Sequence, residues 1–198
     1  MAEMSDTAAD TRYLAALRIH WRRYKAFPSM AKLAEVIGLR SSASVFGVVG
    51  RLTEAGYLER LDGRIAPAKR FFAYRLLGPV HAGVPQELPQ SDEFEVLGAE
   101  EYLVPHPDRT SYATVRGDSM TGAGLLDGDI VVVEHNTATR AGDIVVAVVD
   151  GRLTVKTLAL EGEQYVLQPQ NPTFETIRPG NSLEVLGVVI GSFRRIRR

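Results

Sequence analysis

Two stretches of this chain carry residue types that together could break a peptide bond. The first is Val115-Arg116-Gly117-Asp118-Ser119-Met120, where a β-prone run meets a glycine, an acid, a serine and a methionine. The second is Leu153-Thr154-Val155-Lys156-Thr157-Leu158, which sets one lysine in an otherwise apolar and Thr-rich strand. A serine hydroxyl is a poor nucleophile until a base takes its proton. A lysine amine is such a base once it is buried, because desolvation disfavours the charged form and lowers its pKa toward neutrality. Serine with lysine is a known variant of the serine–histidine–acid arrangement. Asp118 does not complete a triad on this logic, since an ionised carboxylate beside Lys156 would raise the lysine pKa and oppose neutrality. The two stretches alone do not decide the matter: Gly-Asp-Ser is a common turn, and most strand lysines reach into water. A third stretch, Val80-His81-Ala82-Gly83-Val84, sets two small residues among extended-type ones. That shape could enter a narrow protease cleft, but without the serine–lysine pair it reads first as a small-residue turn.

Composition bounds what these residues can belong to. The 198 residues hold one large or two small domains, and 45% hydrophobic with 24% charged residues is ordinary for a soluble globular protein. The chain has no cysteine, which removes disulfides, thiolate catalysis and thiolate zinc sites and fits a reducing compartment. No metal or cofactor is called for. No apolar run approaches the roughly 18–20 residues of a membrane span, and Met1 to Asp10 is polar, so neither membrane insertion nor export is expected. The net charge of −1 hides an asymmetry. Residues 1–75 carry thirteen Lys and Arg against seven Asp and Glu, while residues 76–198 carry ten against seventeen. A basic front half points to an anionic partner, nucleic acid first, and hence to a cytoplasmic, nucleoid-associated protein.

The front half has the pattern to meet such a partner. Tyr13, Leu14, Leu17, Trp21 and Tyr24 recur at helical spacing and predict a helix over about 11–24, stopped by Phe27-Pro28. Ser29 reads as the N-cap of a helix over about 30–37, and Gly38 as its left-handed end. Ser41 or Ser42 caps a third helix to about Ala55, closed by Gly56. Gly47 and Gly50 inside it imply either close packing against the first helix or a wrong helix assignment. Tyr57 to Leu61 then alternates, Asp62-Gly63 is a hairpin turn, and Arg64 to Ala66 returns. The whole reads as a winged helix-turn-helix in residues 1–75, with its third helix entering the major groove. Ser42, Ala43, Ser44, Val45 and Phe46 are the expected base-facing positions, with Ser41 counted among the DNA-contacting residues. Arg40 and Arg51 are expected on phosphates, with Lys69 and Arg70 where the wing meets the backbone.

Residues 76–92 hold Pro79, Pro85 and Pro89 among Gly78, Gly83, Ser91 and Asp92, with no helical period, and read as a linker. Residues 93–198 read as an all-β domain, barrel-like or sandwich. Strands are predicted over about 112–115, 130–133, 144–149, 153–155, 165–167 and 183–190, with Asp150-Gly151 turning straight into the Lys156 strand. The basic tail Phe193 to Arg198 reads as solvated, with contact to DNA or a filament as its alternative.

In order and spacing these features resemble the LexA-type SOS repressors and their relatives, the self-cleaving UmuD and phage repressor proteins. The resemblance runs from about Leu14 to Ile190. It is carried by Phe27-Pro28-Ser29 through Gly38-Leu39-Arg40-Ser41, by Ala82-Gly83, by the Ser119 stretch, by Leu126-Asp127-Gly128-Asp129, by Val155-Lys156 and by Leu167-Gln168-Pro169-Gln170-Asn171-Pro172. It implies an α+β protein of two domains, a winged helix-turn-helix joined to a β-rich serine–lysine peptidase. It further implies Ser119 as nucleophile, Lys156 as general base and Ala82–Gly83 as the bond cut. Double-stranded operator DNA, a homodimer through the C-terminal domain and a RecA filament on single-stranded DNA are the implied partners. The segment Ser42 to Phe46 departs from the asparagine- and glutamate-bearing form of the best-known members, so no operator sequence is carried over. Two rival readings remain at this point: a non-cleaving DNA-binding regulator whose β domain only dimerises or senses a ligand, and a UmuD-like translesion accessory protein. The complete helix-turn-helix argues against the second.

Overall fold

The computed structural model describes residues 8–76, 80, 82–83 and 95–196. It divides into two compact units, Met1–Ala99 and Glu100–Arg198. No single described helix is long and apolar enough to cross a membrane.

The first unit opens with α1 (Ala8–Tyr24), α2 (Met30–Ile37) and α3 (Ser42–Glu54). Each contributes one apolar stripe to a shared core: Leu14 and Leu17, then Leu33 and Ile37, then Val45, Val48, Val49 and Leu52. Gly38 ends α2 at φ 73°, the left-handed geometry that glycine adopts without a Cβ clash. Ser29 precedes α2 in extended geometry, but its hydroxyl makes no capping bond; its carbonyl accepts from Lys32 and Leu33 N–H instead. Ser41 does cap α3, its Oγ accepting from Ser44 N–H at 3.5 Å. The glycines of α3 are helical, yet close packing does not explain them. A Cβ at Gly50 would meet nothing within 4 Å, and one at Gly47 only the end of Arg51.

Strands β1 (Leu58–Leu61) and β2 (Arg64–Pro67) form the wing, with Leu61 opposite Arg64. Asp62 and Gly63 both take positive φ, 49° and 74°, as a two-residue hairpin turn requires. A 3₁₀ turn, Lys69–Phe72, buries Phe71 under the helices. The chain then enters β3 (Tyr74–Leu76), which pairs antiparallel with β4 (Glu95–Leu97). Most of the predicted linker, residues 76–92, lies outside the described residues. The residues around it pair in a ladder of three, Tyr74–Leu97, Arg75–Val96 and Leu76–Glu95.

The second unit begins within a short helix, α4 (Ala99–Leu103). Its strands are β5 (Thr110–Thr114), β6 (Ile130–Glu134), β7 (Ile144–Val149), β8 (Arg152–Glu161), β9 (Gln164–Gln168) and β10 (Leu183–Phe193). They form one six-stranded antiparallel sheet in the order β5-β6-β10-β7-β8-β9. The apolar runs of β6 and β7 are continuous because both faces of the sheet are covered. Val145, Ala147 and Val149 join one cluster with Leu158 and Leu167, while Val146 joins another with Val115, Met120, Leu125, Val131 and Val133. Strand β10 bends through irregularities at Val185/Gly187 and Val189/Gly191. Gly187 has no room for a side chain, since a Cβ there would sit 2.6 Å from Glu134 O.

Candidate active site

Ser119 lies in the loop that leaves β5. Buried Val115 starts this loop, bonded through its N–H to Asp129 O and through its O to Gly128 N–H. Gly117 turns the chain at φ 84°, and its N–H donates to Asp127 Oδ1 at 2.8 Å. Met120, 1% exposed, pins the other side, its carbonyl accepting from Ala123 and Leu125 N–H. Ser119 is thus half-buried between an exposed Asp118 and a buried Met120.

Lys156 sits in the middle of β8, directly opposite Val145 on β7. Its strand runs to Glu161, well past the residue where the sequence pattern ended it. The lysine is buried at 7% exposure, and its Nζ lies 2.8 Å from Ser119 Oγ. The same nitrogen donates to Thr154 Oγ1 at 3.1 Å and Val155 O at 3.0 Å. Burial lowers the Lys156 pKa below the ordinary lysine value of 10.5. No hydrogen bond or ion pair joins it to a carboxylate among the described residues. A neutral amine has two N–H donors and one lone pair. With Thr154 Oγ1 and Val155 O taking the donors, the lone pair is left for the Ser119 hydroxyl. Three acceptors also match the three N–H groups of an ammonium, so it is burial that favours the uncharged base.

Among the described residues, the N–H groups of Ser119 and Met120 donate to no protein acceptor. They are the groups at the nucleophile that can meet a developing oxyanion. Behind the loop stands the segment after β9. Gln170 N–H donates to Ser119 O at 2.8 Å, Gly122 N–H donates to Gln170 O at 2.7 Å, and Asn171 Nδ2 donates to Asp118 O at 2.9 Å. Sequence reasoning singled out Gln170 and Asn171 as part of a motif but assigned them no job. Thr154 also went unassigned, although its position two residues before Lys156 on a strand puts both on one face. A cavity of about 810 Å³ lies elsewhere, between Leu126–Ile130 and Phe193–Arg195, and neither Ser119 nor Lys156 lines it.

Ala82 and Gly83 are exposed and form a bend between the paired strands β3 and β4 in chain order. Val80 beside them is 85% exposed, while His81 and Val84 lie outside the described residues.

The nucleic-acid positions divide. Arg40, Ser41, Ser42, Ala43, Ser44 and Phe46 are exposed at the start of α3. Val45 is not available to a base: at 2% exposure it is part of the three-helix core. Arg51 is committed elsewhere too. Its Nε and Nη2 donate to the two oxygens of buried Asp10 at 2.9 and 2.7 Å, tying α3 to the start of α1. That pairing raises the Arg51 pKa through the Asp10 hydrogen bond. Arg70 lies in the 3₁₀ turn, not on the wing; it donates to Ala55 O at the end of α3 and stacks over Tyr57 at 4.9 Å. Lys69 is exposed in the same turn. The wing itself presents Arg60 and Arg64, both exposed and missed as candidates. Their alternation about the Asp62-Gly63 turn was the available signal.

Residues 75–190 match the family described as Peptidase S24-like. The LexA repressor of Pelotomaculum thermopropionicum is 36% identical over 185 residues, covering 85% of this chain and 87% of that relative. The LexA repressor of Bacillus subtilis is 34% identical over 85% of this chain and 87% of its own length. That of Staphylococcus carnosus is 33% identical, spanning 99% of this chain and all of the relative.

Proposed function

Because the chain belongs to the LexA repressor family, we propose that it represses DNA-damage (SOS) response genes and is inactivated by cutting itself between Ala82 and Gly83. Residues 1–75 serve as the DNA-binding head, 76–92 as the segment cut, and 93–198 as the peptidase and dimerisation domain. The observation that carries the reading is the 2.8 Å contact between Lys156 Nζ and Ser119 Oγ, made by a buried lysine whose pKa is lowered.

The chemistry follows from that contact. Neutral Lys156 takes the Ser119 hydroxyl proton while Oγ bonds to the Ala82 carbonyl carbon. The carbonyl oxygen becomes an oxyanion that meets the Ser119 and Met120 N–H groups. As the tetrahedral centre collapses, the Ala82–Gly83 C–N bond breaks and the Lys156 ammonium gives its proton to the Gly83 nitrogen. An ester joins Ala82 to Ser119. Water, deprotonated by Lys156, then hydrolyses the ester, restoring Ser119 and leaving a carboxylate on Ala82. Two heads held on one dimer gain from effective concentration on a two-part operator, and cutting the chain between head and dimer removes that gain without harming either domain. A RecA filament on single-stranded DNA is the signal that promotes the cut.

Self-cleavage of the purified chain tests this directly. A denaturing gel is expected to show fragments split at Ala82–Gly83, forming faster as pH rises through the lowered Lys156 pKa, because the neutral base then predominates. Ser119→Ala and Lys156→Ala are expected to abolish the fragments. A chain that stays intact in alkali and with activated RecA would return the molecule to the class of non-cleaving regulators.

A further inference from the structure

We infer that Gln170, acting through Thr157, is a positioning residue that ties the nucleophile loop to the strand of the base and so sets the Ser119–Lys156 geometry. This rests on the serine–lysine reading above. The sheet order leaves a place for such a tie beside the core that Met120 and Val155 share. Ser119 leaves β5 and Lys156 lies on β8, and β6, β10 and β7 stand between those strands. No backbone ladder therefore sets the 2.8 Å separation of the two side chains. The segment after β9 does reach both. Gln170 is held against the nucleophile by its backbone, through its N–H to Ser119 O and its O from Gly122 N–H. A side chain at Gly122 would collide with that carbonyl. The Gln170 side chain points the other way in function: its Nε2 donates to Thr157 Oγ1 at 2.9 Å. Thr157 is the immediate neighbour of Lys156 and pairs with Ile144 on β7 and Gln168 on β9. One residue thus links the loop of the nucleophile to the part of β8 that carries the base. Asn171 steadies the arrangement, with Nδ2 on Asp118 O while its own Oδ1 accepts from Thr173 N–H and Oγ1.

Releasing this tie lets the Ser119 loop move off Lys156 and lets water in. A rehydrated lysine regains its ordinary basicity, so the self-cleavage profile should move toward alkali. The backbone bonds of Gln170 survive substitution, which isolates the side chain.

The experiment is the rate of self-cleavage against pH for the full chain, Gln170→Met, Thr157→Val and the double variant, with thermal midpoints recorded for each. Each single variant is expected to shift the midpoint of the profile up by about one pH unit and so to cleave about tenfold more slowly at neutral pH. The double variant is expected to add nothing further, because both changes remove one contact. A folded variant with an unchanged profile overturns the inference, as does a slower rate at every pH with an unmoved midpoint, or additive losses in the double variant. Should Gln170→Met not fold, Thr157→Val decides alone. A parent chain that never cleaves overturns the serine–lysine reading and this inference together, whereas a cleaving parent with indifferent variants overturns this inference only.

Discussion

Lys156 is a costly residue for the fold that holds it. A buried ammonium has lost most of its water and gains no carboxylate in exchange, and that cost is what lowers its pKa. The sign of the linked stability effect follows. Between the lowered native pKa and the 10.5 of an unfolded lysine, the unfolded chain binds the extra proton, so stability rises with pH across that window. Below the window the penalty is present in full, and above it the penalty is gone. In a Ser119→Ala background, which prevents cutting, Lys156→Met should therefore raise the thermal midpoint at neutral pH, and the advantage should shrink as pH approaches 10.5. Thermal unfolding followed across pH measures both slopes; parallel curves would contradict the burial argument. The same residue that stores this cost supplies the uncharged base, so stability and activity trade against each other at one atom.

At the scale of elements, α3 serves two purposes with two faces. Val45, Val48, Val49 and Leu52 build the core, while Ala43, Phe46, Gly47 and Gly50 face outward. Nothing inside the domain requires the glycines, so Gly50→Ala should stabilise the head by about 1 kcal/mol, read from denaturant unfolding. A matching loss of DNA affinity would show that the small face lets the helix backbone approach a groove. The basic residues divide in the same way. Arg51→Ala leaves the buried Asp10 carboxylate without its bidentate partner and should cost about 1–2 kcal/mol of stability. Arg60→Ala and Arg64→Ala, on the exposed wing, should leave stability within about 0.5 kcal/mol. Instead, each should reduce the slope of log affinity against log salt by about one on double-stranded DNA. Binding isotherms at several salt concentrations separate the two classes.

For the whole molecule, the basic and acidic halves are a division of labour along one chain. Residues 1–75 carry a positive excess that suits the proposed contact with an anionic duplex, and residues 76–198 carry a negative excess that disfavours competing for it. The proposed point of attack, Ala82–Gly83, lies between them in sequence, between strands β3 and β4, which are joined by a three-pair ladder. A two-stranded ladder of that length is marginal by itself. Cleaved chains are accordingly expected to separate on dilution and to lose operator affinity by a factor of about 10²–10⁴, the gain that linkage of two heads supplies. Size-exclusion chromatography of cleaved protein, run beside a footprinting titration, checks both. Fragments that stay together and keep full affinity would mean that the cut bond is not the switch.

The sequence by itself determined the elements and their order. The period of apolar residues placed α1, α2 and α3, the Asp-Gly pairs placed the hairpin turns, and the six β-prone runs all became strands, because these features depend on neighbours along the chain. Ser119 and Lys156 were legible as chemistry only through the order and spacing of the motifs around them, since alone the pair reads equally as a turn serine and a solvent-reaching strand lysine. What only the tertiary structure decided depends on contacts distant in sequence. Val45 went to the core and Arg51 to Asp10, because the packing of α1 on α3 cannot be read from α3 alone. Asp150, legible as a turn residue, also holds the N–H groups of Gly180, Asn181 and Ser182, some thirty residues on. Above all, the 2.8 Å contact of Ser119 with Lys156 joins two strands that the sheet parts, beside a core shared by Met120 and Val155 and a segment after β9 that contacts both sides. A strand pattern specifies which face a side chain takes; only the order of strands specifies what it meets there.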